Sequence, residues 1–261
     1  MTTTQQPVEL IDEALSQDLA AASLSLARRF AKGATLWSVS PQWEPHAHHV
    51  AVEFVHPVIV GKRALPSVAL VDPDPVAQAR VASRAGDVII AVASADDQQV
   101  QDVMRRAPAW GVTTIWIGFG PRPPAGSADH VLWVGSEDPM VPATGRFVLM
   151  YHLLWELTHV CFEHPGLLAD PPEDTNTSDA ADANCDGGNA GGVCVTCSDE
   201  GRLGEVVLSP ETAFDTAVVR TSTGEEQVDV TLVGEVAPGD LVLVHAGSAI
   251  SRIDELSRET P

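Results

Sequence analysis

Near its carboxy terminus the chain carries the residues most suited to chemistry. Cys194-Val-Thr-Cys197 sets two thiols two residues apart, a spacing at which one tight turn presents both sulfurs to a metal. Further on, His245 ends the apolar run Leu241-Val-Leu-Val-His245. A thiolate with an imidazole suits a borderline-soft transition metal, and iron or zinc would accept the pair. In a strand, the period of two puts Leu241, Leu243 and His245 on one face and Val242 and Val244 on the other. The plainer reading of His245 is a partly buried histidine that binds nothing. Upstream, Asp182-Ala-Asn184-Cys-Asp186-Gly187 opens like a calcium loop, but Val193 stands at the twelfth position, where a bidentate glutamate is needed.

Composition narrows the partners. The 261 residues include 36 acidic and 15 Lys or Arg side chains, a formal net charge of -21. Such a surface repels phosphate backbones and anionic bilayers, which argues against nucleic-acid binding and against membrane association. No apolar run approaches the roughly 20 residues that span a bilayer. The start, Met1-Thr-Thr-Thr-Gln-Gln-Pro, lacks the basic end and apolar core of a signal peptide, so a cytoplasmic protein is expected. In a reducing compartment, Cys185, Cys194 and Cys197 crowded into one region suggest a metal or redox role more than a disulfide framework. Cys161 sits apart, in a helical pattern.

The elements that must position these groups fall into two domains. Apolar residues recur at helical spacing over 8–32, which predicts a long first helix. Short apolar runs follow at Ala34–Ser40, Leu65–Val71, Asp87–Ala93, Thr113–Phe119 and His130–Val134, with helical stretches between most of them. Runs of this kind suit doubly covered strands of a parallel sheet. A helix from about Thr144 to Glu163 closes a three-layer α/β domain over 1–165. Residues 166–193 are acidic, rich in Gly and Asn and poor in bulky apolar side chains, and read as a flexible linker. Over 194–261, Val-rich segments at Leu203–Leu208, Thr216–Thr221, Gln227–Val233 and Leu241–Ala246 predict a small all-β, OB-like barrel. A unit of that size buries a limited core.

The blocks Val228-Asp-Val-Thr-Leu-Val-Gly-Glu235 and Gly239-Asp-Leu-Val-Leu-Val-His245-Ala-Gly-Ser-Ala-Ile250 resemble the HypC/HupF hydrogenase-maturation chaperones almost letter for letter. That resemblance implies a small barrel working with an iron–sulfur partner of the HypD type. Together they would carry iron as Fe(CN)2(CO) to the large-subunit precursor of a nickel–iron hydrogenase. It makes a cysteine and His245 the iron ligands, and gives Asp229, Gly234 and Gly239 a shape-setting role in turns. The family's Cys-x-x-x-Pro-Gly is replaced by Cys197-Ser-Asp-Glu-Gly201. Counted back from Gly201, Cys197 is the closer equivalent, and Cys194 is its rival.

Residues 1–165 resemble sugar-isomerase (SIS) domains, specifically the phosphoheptose isomerases. The resemblance rests on Lys32-Gly-Ala-Thr-Leu, Ala64-Leu-Pro-Ser-Val-Ala-Leu-Val71, Ala85-Gly-Asp-Val-Ile-Ile-Ala-Val92 and the helix around Tyr151-His152-Leu-Leu-Trp-Glu156. It places the isomerase His-x-x-x-Glu pair at His49 and Glu53, on one helix face, and the closing-helix histidine at His152. Such a set either binds a divalent metal such as zinc or supplies, through Glu53 and His152, the proton shuttle of an aldose–ketose isomerisation. The family's glutamine ligand falls at about Thr144; His46 or His48 stand as substitutes in a region also holding His56 and His159. The family's phosphate loops depart more. Trp43 replaces a serine in the first, and the second reads Ala93-Ser94-Ala95-Asp96-Asp97-Gln98, where two carboxylates oppose a phosphate by about a kcal/mol or more each.

The leading reading is a hydrogenase-maturation chaperone with an appended SIS-like domain. The alternative is a sugar-phosphate isomerase, or binding of a carbohydrate derivative through the SIS-like domain, and a third is a metal store or sensor. SIS domains associate through their helices, so a homo-oligomer is expected by analogy.

Overall fold

A computed structural model of the protein describes residues 11–134, 143–168, 201–210 and 216–253. These fall into two compact units, the first running through Leu168 and the second formed by the later residues, the turn at 221–224 apart. Most of the expected linker, and with it Cys185, Cys194 and Cys197, lies outside the described residues.

The first unit alternates helix and strand: α1 (Glu13–Ala31), β1 (Leu36–Val39), α2 (Glu44–Val55), β2 (Ser67–Leu70), α3 (Pro75–Ala82), β3 (Val88–Val92), α4 (Gln98–Arg106), β4 (Thr113–Phe119), β5 (His130–Val134) and α5 (Ala143–Glu163). The Asp12 carboxylate caps α1 by accepting the Leu15 N–H at 2.8 Å. Leu15, Leu19, Ala22, Leu26 and Phe30 then recur along the buried stripe. All strands pair in parallel, in the order β2-β1-β3-β4-β5. β3 is buried at every position, as a strand covered on both faces must be. The Asp87 carboxylate fastens the entrance to β1 beside that of β3, accepting from Thr35 N (2.8 Å), Trp37 Nε1 (2.9 Å) and Arg84 N (2.9 Å).

Right-handed crossovers place helices on opposite faces according to the direction in which the sheet is being built. The step from β1 to β2 runs one way, and the steps from β2 to β3 and β3 to β4 run the other. Hence α2 covers one face and α3 with α4 the other. α5 packs against α1 and α2, completing the first layer. Strand order reverses between β1 and β3, and the loops leaving those strands border the crevice where open α/β sheets bind ligands.

The second unit is all β: β6 (Arg202–Leu208), β7 (Ala217–Thr221), β8 (Gly224–Val228), β9 (Leu241–His245) and β10 (Ser248–Arg252), in sheet order β10-β9-β6-β7-β8. Val242 and Val244 turn inward to a core with Val206, Ala217, Val219, Val228, Val230, Val236 and Ala249. Asp229 bridges the sheet edges: its N–H donates to Gly247 O at 3.0 Å, and its carbonyl accepts from Ala249 N at 2.8 Å. This single bridge draws the two edges of the sheet together at one end, as in the partly open barrels of the OB type.

Two sequence expectations change here. The run Gln227–Val233 does not form one strand; β8 ends at Val228, and 231–233 turn. The Asp229 carboxylate takes both the Thr231 N–H (2.8 Å) and its hydroxyl (2.6 Å), a local bond that competes with strand pairing. Gly234, at φ 75°, then completes the reversal. The strand β10, in turn, lacked a long enough Val-rich run to be foreseen. Among the described residues, no helix is long and apolar enough to cross a membrane.

Candidate metal centre

α2 begins at Glu44 with Pro45 in its first turn, where a missing N–H costs nothing. Its inner face buries His46, Ala47, Val50, Ala51 and Phe54. His49 and Glu53, one turn apart, lie at the edge of that stripe and face α5. On α5, Phe147, Met150, Tyr151, Leu154 and Trp155 are buried, and His152 borders them, half-exposed.

This packing brings His49, Glu53 and His152 together, with one donor atom of each within 4.8 Å of the others. His152 Nε2 is 3.5 Å from Glu53 Oε2 and 3.3 Å from His49 Nε2, and His49 Nε2 is 4.0 Å from the same carboxylate oxygen. Two imidazoles and one carboxylate converging on a half-buried point form the donor set of a zinc-type site with positions left open. The set fits a divalent metal, which would act there as a Lewis acid. The side chain of Thr144 lies outside the described residues.

Behind the three donors sit two groups that spacing alone did not single out. The Tyr151 hydroxyl lies 2.7 Å from His49 Nδ1 and 3.4 Å from His46 Nδ1. Burial, with the Glu53 carboxylate adding to it, pushes the Tyr151 phenol well above its ordinary pKa, so it remains protonated. Burial first, and then the charge of His49, holds His46 below the usual histidine range. Tyr151 is the only tyrosine of the chain and stands directly before His152; that adjacency was the one available signal. His48 bonds Glu44 at 3.2 Å on the exposed side of α2 and is not among the converging donors, and His159 is tied to two backbone carbonyls, Trp155 O and Arg63 O.

Beside the reversal of strand order, the loops leaving β1 and β3 carry Trp43, Asp96 and Asp97. Trp43 packs on Phe119 and Phe147, with ring centroids 6.1 and 5.4 Å apart. Asp97 caps α4, its Oδ1 accepting from Val100 N at 3.1 Å, and so takes the place an anion would occupy at that helix start. The Ser94 hydroxyl is shared between Asp96 Oδ1 (2.6 Å) and Gln42 Oε1 (2.8 Å).

In the second unit, His245 and Leu243 lie on the outer, half-buried face of β9, away from the Val242–Val244 core. Ala246 (φ 48°) and Gly247 (φ 79°) form the two-residue turn that follows. Asp229 meets this turn, so the two blocks singled out in the sequence are joined at one end of the barrel.

Residues 204–260 match the HupF/HypC family. The HupF/HypC-like segment therefore takes in β6 through β10 almost whole. Solved structures with a similar fold over part of the chain include a phosphoheptose isomerase from Francisella tularensis, 16% identical, covering 57% of this chain and 88% of that one with a TM-score of 0.50. The phosphoheptose isomerase GmhA from Neisseria gonorrhoeae is 18% identical and covers 57% of this chain and 85% of its own, with a TM-score of 0.43. At these identities the likeness is one of fold. A comparison with curated proteins finds no match. The SIS-like first unit and the HupF/HypC-like second unit thus agree with the two resemblances drawn from sequence.

Proposed function

We propose that the protein is an accessory chaperone of nickel–iron hydrogenase maturation, handling iron through the HupF/HypC-like unit. The observation that carries this is the match over 204–260 to that family. Cys197 and His245 are the iron ligands of this reading, with Cys194 as the alternative thiolate. The β6–β9 register supports it: Arg202 pairs with Val244, so one step further Gly201 comes opposite His245. Cys197 lies four positions before Gly201 in the chain, outside the described residues. The cargo is Fe(CN)2(CO), the partners a HypD-type iron–sulfur protein and the hydrogenase large-subunit precursor, and the setting the cytoplasm.

The test is infrared spectroscopy on the protein co-purified anaerobically with its HypD-type partner. Cyanide and carbonyl stretching bands that disappear in Cys197→Ala and His245→Ala are expected. An iron-loaded complex without such bands would leave only a plain metal site.

The converged His49, Glu53 and His152 favour a second role for the SIS-like unit: binding a divalent metal such as zinc. A sugar-phosphate isomerase using His152 and Glu53 as acid and base shares that observation, but Asp96 and Asp97 stand against the phosphate it requires. As in other SIS-like proteins, the helical layer is the surface proposed for self-association.

A further inference from the structure

We propose that Tyr151 is a positioning residue for the metal centre, fixing the His49 tautomer that presents a Nε2 lone pair to the ion. The proposal rests on the metal-binding reading of His49, Glu53 and His152. A neutral imidazole carries its proton on one nitrogen only. If His49 holds it on Nε2, that nitrogen points a proton at Glu53 and His152, and cannot ligate. If Nδ1 holds it, the Tyr151 oxygen, 2.7 Å away, is its acceptor.

The phenol can fill that role because it has another outlet for its own proton. His46 Nδ1 lies 3.4 Å from the hydroxyl on the far side, and His46 is buried and held neutral by that burial. A neutral His46 with its proton on Nε2 accepts from Tyr151 through Nδ1. The chain of donors then runs in one direction: His49 Nδ1–H to Tyr151 O, and Tyr151 O–H to His46 Nδ1. His49 Nε2 is left as a lone pair facing His152 Nε2 at 3.3 Å and Glu53 Oε2 at 4.0 Å.

Packing holds the arrangement in place. Tyr151 has no exposed surface, and its ring meets the rings of His46, His49 and His152 edge-on, at centroid distances of 6.0, 5.0 and 5.4 Å. Phe147 backs His46 at 5.5 Å. Partners that orient a ligating histidine in this way are worth about 10–100-fold in metal affinity when removed.

The test uses the full chain in two measurements. Nitrogen-resolved NMR of the metal-free protein should show His49 with its proton on Nδ1, and a mixture of tautomers in Tyr151→Phe. Cobalt(II) titration should show Tyr151→Phe binding about 10–100-fold more weakly than wild type, with a changed visible spectrum and unaltered circular dichroism. A wild-type His49 protonated on Nε2, or equal cobalt affinity and spectrum in Tyr151→Phe, would overturn the role of Tyr151. A wild-type protein with the expected tautomer that binds no cobalt would instead sink the metal-centre reading, and the positioning role with it.

Discussion

His152 Nε2 stands 3.3 Å from His49 Nε2, although 103 positions separate the two residues in the chain. The contact exists because α5, the last helix of the first unit, packs back against α2, the second. Glu53 completes the meeting by presenting one carboxylate oxygen to both imidazoles.

Glu53→Gln tests that convergence. The amide keeps the shape of the side chain but loses the charge that offsets a divalent cation. Zinc or cobalt affinity should fall by more than the roughly 10–100-fold typical of an outer partner, since a direct ligand is being altered. Isothermal titration measures this, and unchanged affinity would remove Glu53 from the site.

A phosphorylated sugar should not stabilise the protein. Asp97 already occupies the start of α4, and Asp96 adds a second negative charge beside it. Sedoheptulose 7-phosphate at millimolar concentration should leave the melting temperature unmoved, because only a ligand that binds the folded state raises it. Asp97→Ala should cost about 1 kcal/mol through loss of the cap, and Asp97→Asn much less, since its amide oxygen can still accept from Val100 N–H. A clear upward shift with the sugar phosphate would restore the isomerase reading.

Gly118→Ala probes the sheet on which the crevice rests. A Cβ added there runs into the Trp133 ring and comes within 2.5 Å of Ala93 O. The backbone oxygen cannot swing aside, and the ring is already held by its Nε1 bond to Gly120 O at 2.8 Å. Overpacking of this kind costs about 1–3 kcal/mol. Urea denaturation should show it as a lower midpoint, and a variant as stable as wild type would mean that β4 and β5 yield more readily than their packing implies.

The architecture was largely legible from local pattern. Five short apolar runs, read as parallel strands, are β1 to β5; β1 to β3 lose one or two residues at each end, and β4 and β5 keep the expected bounds. Fully buried strands must be apolar throughout, and that signature needs no tertiary information. The inward–outward alternation of Leu241–His245 was likewise fixed by a period of two. Gly234 and Gly239, expected in turns, have φ of 75° and 94°.

Pattern failed where a side chain diverted the backbone. Val230 and Val233 look like strand residues, yet the Asp229 carboxylate bonds Thr231 and turns the chain. The sequence by itself thus determined the two classes of sheet, the helix face shared by His49 and Glu53, and the blocks that match HupF/HypC. Only the tertiary structure decided that Tyr151 links His46 to His49 and that Asp229 draws the sheet edges together. Both are contacts between elements distant in the chain, set by helix and sheet packing, and local spacing carries no record of them.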